Sequence, residues 1–205
     1  GSLRGERIAL WMSSDEACNY VAAMQAVYEA GAIVVPLDDR MAVEEVRRIF
    51  ADVEPCLLAL SRIVAERLGI DGFATLGAAA PELPVRPGVE AFILQVEGDK
   101  GTGDPMPWAP GHPAAAVKPS SASPADNAFM AFTSGTTGRP KGVMVSHANL
   151  WIGAHSVASY LGTQADDRVL AVLPLSFDFG LSQLTTAFHV GATAVLLDYL
   201  APRDI

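Results

Sequence analysis

Ten consecutive residues, Thr133-Ser-Gly-Thr-Thr-Gly-Arg-Pro-Lys-Gly142, hold the densest potential chemistry in the chain. A phosphate accounts for each residue type. Gly135, Gly138 and Gly142 permit close backbone approaches, so that amide N–H groups can converge on an anion. Thr133, Ser134, Thr136 and Thr137 add hydroxyl donors, and Lys141 adds a compact cation suited to a phosphate oxygen. Pro140 stiffens the turn ahead of the lysine. The spacing is not that of a Walker A loop. No Gly-Lys-Ser/Thr follows four residues after a first glycine, and the lysine leads into a strand-like run instead of a helix. A loop of this composition also serves as a plain hairpin connection; the full ten-residue string favours the phosphate.

Other reactive side chains are sparse. His147, Trp151 and His155 fall at helical spacing just after the loop, and a structural role is expected for all three, because an isolated histidine is seldom catalytic without a partner. His189 and Asp198 have no recognisable partner in the sequence. None of these is assigned a role.

Holding such a loop requires a rigid frame, and the remaining sequence describes one. Residues 7–12 form an apolar, strand-like run. Ser13 and Glu16 then have capping-box spacing, which predicts a helix start. Ala17, Val21, Met24 and Tyr28 recur at helical period up to Gly31, and a strand follows over 33–37. A second helix carries Val43, Val46 and Phe50. It is followed by an apolar run over 56–60 and a short helix after Ser61 that ends near Gly69. This alternation is that of an α/β fold, a mostly parallel sheet flanked by helices.

From Gly69 to Pro124 the pattern loosens into a surface excursion or linker with one strand, over 91–96. Order returns with a strand over 128–132, a strand-like run over 143–145, and a helix capped by Ser146. Leu150, Ala154, Val157 and Leu161 stripe that helix, and Gly162 ends it.

The chain has 205 residues, is 50% hydrophobic and 18% charged, and carries a formal charge of −9. That composition suits one buried core and excludes disorder. The acidic residues are dispersed, and no basic stripe points to nucleic acid. No apolar run approaches the roughly 18 residues of a membrane span. With no signal-peptide pattern, a cytoplasmic protein is the default expectation. Cys18, in a predicted helix, and Cys56, in a predicted strand, are expected to be buried, reduced thiols.

The ten-residue string resembles the phosphate-binding signature of the adenylate-forming (AMP-binding) superfamily: acyl- and aryl-CoA ligases, adenylation domains of nonribosomal peptide synthetases, and luciferases. Residues 26–38 (AVYEAGAIVVPLD) are similar to a helix–strand segment of that family, and residues 174–198 (PLSFDFGLSQLTTAFHVGATAVLLD) to its acid-pocket segment. The resemblance implies that Thr133, Ser134, Gly135, Thr136, Thr137, Gly138 and Lys141 line the ATP phosphates in a mobile loop. It implies Mg²⁺ bridging phosphate oxygens, and a small carboxylic acid and ATP as partners. It further implies that the acyl-adenylate passes to CoA or a carrier-protein thiol. On this reading residues 1–205 are a partial N-terminal subdomain. The nucleoside-binding part and the C-terminal domain would lie beyond Ile205, so the missing remainder of the chain is itself a partner. No residue here is expected to be catalytic by itself, and the isolated chain is expected to be inactive.

Phe177 and Asp178 carry the family's clue to the acid. Amino-acid-activating members tend to read Phe-Asp, the aspartate pairing with the substrate ammonium. Phe179-Gly180-Leu181 instead resembles the acyl-CoA ligases, with Gly180 where serine is usual in the amino-acid type. The helix after Asp178 is expected to begin near Gly180 and to bring no further polar group to an ammonium, which favours the acyl-CoA type. Asp178 would then be a turn or cap residue. The alternatives are an amino-acid-activating domain and a non-catalytic binding or scaffold module with a vestigial motif.

Overall fold

The computed structural model describes residues 3–13, 16–70, 73–75, 83, 90–93, 122–133 and 140–197. Its elements are, in order, β1 (Arg7–Met12), α1 (Ala17–Glu29), β2 (Ile33–Asp38), α2 (Val43–Val53), β3 (Leu57–Leu60) and α3 (Arg62–Leu68). There follow β4 (Phe73–Thr75), β5 (Glu90–Ile93), β6 (Asn127–Thr133), β7 (Lys141–Ser146), α4 (His147–Leu161), β8 (Arg168–Ala171), α5 (Asp178–Val190) and β9 (Thr193–Leu196). This is the expected α/β fold.

Strand β1 organises the larger sheet. Its residues from Ile8 to Met12 are all buried, and it pairs in parallel with β2 on one side and β3 on the other. A strand covered on both faces must send alternate side chains into two separate cores. Ala9 and Trp11, with Val35, Leu37, Leu58 and Leu60, meet α2 through Val46, Ile49 and Phe50, and α3 through Val64. Ile8, Leu10 and Met12, with Val34 and Ala59, meet α1 through Tyr20, Met24 and Val27, and α5 through Leu181 and Leu184. The seven strands lie in the order β4-β5-β3-β1-β2-β6-β7, with β4 and β7 antiparallel to their neighbours. Strands β8 and β9 form a separate parallel pair.

Several local expectations are corrected. Helix α1 starts at Ala17 with Glu16 as its N-cap, so the Ser13–Glu16 capping box does not set its start. The Glu16 carboxylate is engaged elsewhere: it accepts from Asn19 Nδ2 and, across 46 residues, from the Arg62 backbone N–H at the start of α3, both at 3.0 Å. Ser146 caps α4 as expected, in a reciprocal box with Asn149, and Ser61 is found to cap α3. On α4 the buried stripe is Ala154 and Ala158, whereas Leu161 is exposed. Cys18 and Cys56 are not joined in a disulfide but are only half-buried, and Cys56 precedes β3. The observed β5 begins at Glu90, and residues 94–96 of the expected strand lie outside the described residues. No helix among the described residues is long and apolar enough to cross a membrane.

One carboxylate joins the two sheets. Asp38, at the carboxyl end of β2, receives Arg40 Nε and Nη2, each at 2.8 Å, and the Arg40 backbone N–H at 2.9 Å. Ser176, in the connection from β8 to α5, donates its hydroxyl to the same carboxylate at 3.3 Å. The Arg40 hydrogen bond is the main cause holding the Asp38 carboxyl below the usual carboxylate range, against the opposing effect of burial. Its folded pKa is thus below its unfolded value, and the folded chain binds fewer protons. The contribution is fully present above about pH 5 and is lost as pH falls through about 4 towards the folded pKa.

Asp38→Asn should lower stability at pH 7 by about 1–2 kcal/mol, a figure kept low because Arg40 is 70% exposed. The gap between the two proteins should narrow as urea titrations are taken from pH 7 down to pH 3. A gap that is as wide at pH 3 as at pH 7 would contradict this role.

Candidate functional site

The Gly/Thr/Ser loop is the connection of the β6–β7 hairpin. Residues 134–139, which include Ser134, Gly135, Thr136, Thr137 and Gly138, lie outside the described residues. The two ends of the loop are defined. Thr133 and Lys141 are directly opposed in the antiparallel register, followed inward by the Ala131–Val143 and Phe129–Val145 pairs. Opposed residues on neighbouring strands point to the same side, and so do residues two apart along one strand. Thr133, Ala131 and Phe129 therefore share one face with Lys141, Val143 and Val145. Lys141 is exposed, and among the described residues it has no ion-pair partner.

That same face floors a cleft of about 120 Å³. Phe129, Ala131 and Val145 form its base, Asn149, Leu150 and Ala154 of α4 one wall, and Asp178, Leu181, Ser182 and Thr185 of α5 the other. Thr133 lies two residues past Ala131, or about 7 Å along the strand. The cleft thus opens beside the base of the phosphate-type loop. Pleat and register, acting together, bring Thr133, Lys141 and Asp178 to one side of the sheet.

Asp178 is the first residue of α5, and the N-cap position belongs to Phe177, which makes no side-chain cap hydrogen bond. The helix begins two residues before the expected Gly180. The exposed Asp178 carboxylate accepts from the Phe179 backbone N–H at 2.9 Å, where a negative charge is favoured by the helix dipole. Phe177 and Phe179 are 54% and 72% exposed, so neither ring is packed into the cleft. The expectation that no other polar group accompanies Asp178 does not hold: Asn149, Ser182 and Thr185 line the same cleft. Helical spacing from Asp178 to Ser182 and Thr185 could have revealed two of them; Asn149 comes from another helix and could not have been found that way.

Gly180 has a steric explanation. A Cβ at this position would run into the Pro174 carbonyl oxygen and lie 2.7 Å from that of Leu173. Both are backbone atoms of the connection that carries Ser176. The glycine is thus required by the close approach of α5 to its own lead-in, whatever acid is bound.

A further departure concerns His189, which does have a partner. Its Nε2 lies 3.3 Å from Nδ1 of His155. His147 instead packs edge-on against Tyr28. Asp198 lies outside the described residues.

The chain is similar to known proteins. The family described as AMP-binding enzyme matches residues 1–205. An L-proline–(L-prolyl-carrier protein) ligase of Streptomyces coelicolor is 32% identical, over 100% of this chain and 37% of its own length. A mitochondrial malonate–CoA ligase of Homo sapiens is 29% identical, over 100% of this chain and 32% of its own length. Among solved structures, VinN in complex with 3-methylaspartate superposes with a TM-score of 0.70 at 26% identity, covering 94% of this chain and 48% of that one. The chain thus spans about a third of the length of these curated relatives.

Gly180→Ala should destabilise the chain by about 1–3 kcal/mol, as overpacking against rigid atoms does, and Gly180→Ser by at least as much. Thermal denaturation measures this, and an unchanged midpoint for the serine variant would show that the site can relax.

Proposed function

Because the chain belongs to the AMP-binding enzyme family, we propose that it supplies the triphosphate loop and part of the acid pocket of a ligase that activates a carboxylic acid with ATP. The products would be an acyl-adenylate and pyrophosphate. The observation that carries this reading is the shared face of the β6–β7 hairpin, where the Thr133–Lys141 pair closes the loop beside the Asp178 cleft. An acid seated in the cleft would have its carboxylate next to phosphates held by the loop. Such placement is what an in-line attack on the α-phosphorus needs, and holding reactants at that separation removes much of the entropic barrier.

Lys141 would neutralise charge on the β- and γ-phosphates, while Thr133, Ser134, Thr136 and Thr137 donate hydrogen bonds and Gly135 and Gly138 bring backbone amides close. Among the described residues no cluster of three His, Cys, Asp or Glu side chains could hold a metal. Mg²⁺ bound together with ATP would supply further charge neutralisation. The remaining steps, including transfer to CoA or a carrier thiol, would use residues other than these.

In the full-length ligase, Lys141→Ala should lower acid-dependent pyrophosphate exchange on the order of 10²-fold, as expected for loss of one preorganised electrostatic group. Circular dichroism should show an intact fold. An unchanged exchange rate would end the phosphate role.

A second reading, an amino acid as the substrate, is favoured by the polar wall that Asn149, Ser182 and Thr185 add to Asp178. On that reading Asp178→Ala should raise KM for the amino acid by the equivalent of about 2–5 kcal/mol while sparing ATP. For a fatty or aryl acid the same change should cost only the helix-terminus charge, about 0.3–1 kcal/mol of stability, and leave selectivity intact. Exchange kinetics on a panel of both acid classes, together with thermal midpoints, separates the two.

A further inference from the structure

A cluster of aromatic and imidazole rings lies away from the cleft, on the outer face of the α4–α5 pair. His155 is near the middle of α4 and His189 is one residue from the end of α5, and both are exposed. His189 is eleven residues beyond Asp178, so about 16 Å of helix separates it from the acid cleft. The Trp151 indole stacks on the His155 ring, with centroids 5.3 Å apart and planes 1° from parallel, and meets the His189 ring edge-on at 5.8 Å. The two imidazoles are themselves edge-to-face at 5.3 Å, which brings His155 Nδ1 to 3.3 Å from His189 Nε2.

We infer that His155 and His189 form a surface binding site for a zinc-type divalent ion, which would staple α4 to α5. The nitrogen separation carries the inference. Two imidazole nitrogens on one tetrahedral Zn²⁺, each at roughly 2.0–2.1 Å, must lie about 3.3–3.4 Å apart. The two rings already stand at that distance without rearrangement. Both ligands are borne on packed helices, and the stacked indole restrains the orientation of His155, so little ordering is left for the ion to impose. Imidazole suits zinc among the biological divalent ions.

Binding needs His155 as the Nε2–H tautomer and His189 as the Nδ1–H tautomer, each turning a lone pair to the shared position. Both are neutral forms. A proton moves between ring nitrogens through solvent, and none is lost from the pair. Among the described residues no third His, Cys, Asp or Glu joins these two, so water completes the coordination. The site should therefore bind reversibly, unlike a closed structural centre of four protein ligands.

The test is calorimetric titration of the untagged chain with zinc chloride, paired with thermal melts at rising zinc. The wild type should bind one ion saturably. With zinc at about a hundred times its dissociation constant, the melting midpoint should rise by about 5–10 °C. His155→Ala and His189→Ala should each abolish both signals, while His147→Ala, which removes an imidazole away from the pair, should keep them. Since both target residues are on the surface, these variants should fold; His189→Gln, of similar volume and with a weaker ligand, provides a second check should an alanine variant fail. A wild-type midpoint that zinc does not move, or an equal rise in the His155→Ala/His189→Ala double variant, would overturn the site and leave the pair as a hydrogen bond between rings.

Discussion

Burial of β1 on both faces is the constraint from which the rest of the molecule follows. Every side chain from Ile8 to Met12 is out of contact with water. A strand in that situation cannot sit at an edge or against a single layer, because half of its apolar surface would then face solvent. The chain meets this demand with α1 and α5 on one side and α2 and α3 on the other. The alternation of Ala9 and Trp11 with Ile8, Leu10 and Met12 thereby fixes two cores of different composition. It also fixes the place of β2, and with it the edge on which β6 and the hairpin are built.

The hairpin turns that architecture into a site. Strand β6 joins β2 in parallel and then reverses into β7 through the Gly/Thr/Ser loop. Since the pleat alternates, the residues that flank the loop and the residues that floor the cleft are separated by even steps and face the same way. A slip of one residue in the Thr133–Lys141 pairing would turn Lys141 to the opposite side of the sheet, away from Asp178. The apolar pairs Ala131–Val143 and Phe129–Val145 resist such a slip, because Phe129 and Val145 belong to the core against α4 and α5. The packing of the hairpin and the alignment of its chemistry thus depend on the same register.

Polar contacts do the finer work of fixing one layer against another. Asp38 holds Arg40 and Ser176, and so ties the end of β2 to the lead-in of α5. That lead-in passes so close to α5 that only a glycine fits at position 180. Glu16 plays a similar part between α1 and α3. Residue types that read as caps or family markers in the sequence are, in the folded chain, joints between elements. Gly180 is the clearest example, since a backbone collision explains it without reference to the acid.

What the sequence determined by itself are the features carried by short-range pattern: the alternation of strands and helices, the serine cap of α4, and a phosphate-type string between two strands. Local periodicity and residue chemistry encode these directly, because the groups involved lie within a few residues of one another. The tertiary structure alone decided that Lys141 shares a face with the Asp178 cleft, that Asn149 joins its wall, and that Glu16 at the start of α1 also receives the first N–H of α3. It alone brought His189 to His155 across 34 residues and Ser176 to Asp38 across 138. Such contacts depend on how whole layers pack around β1, and no spacing along the chain encodes which side chains that packing sets face to face.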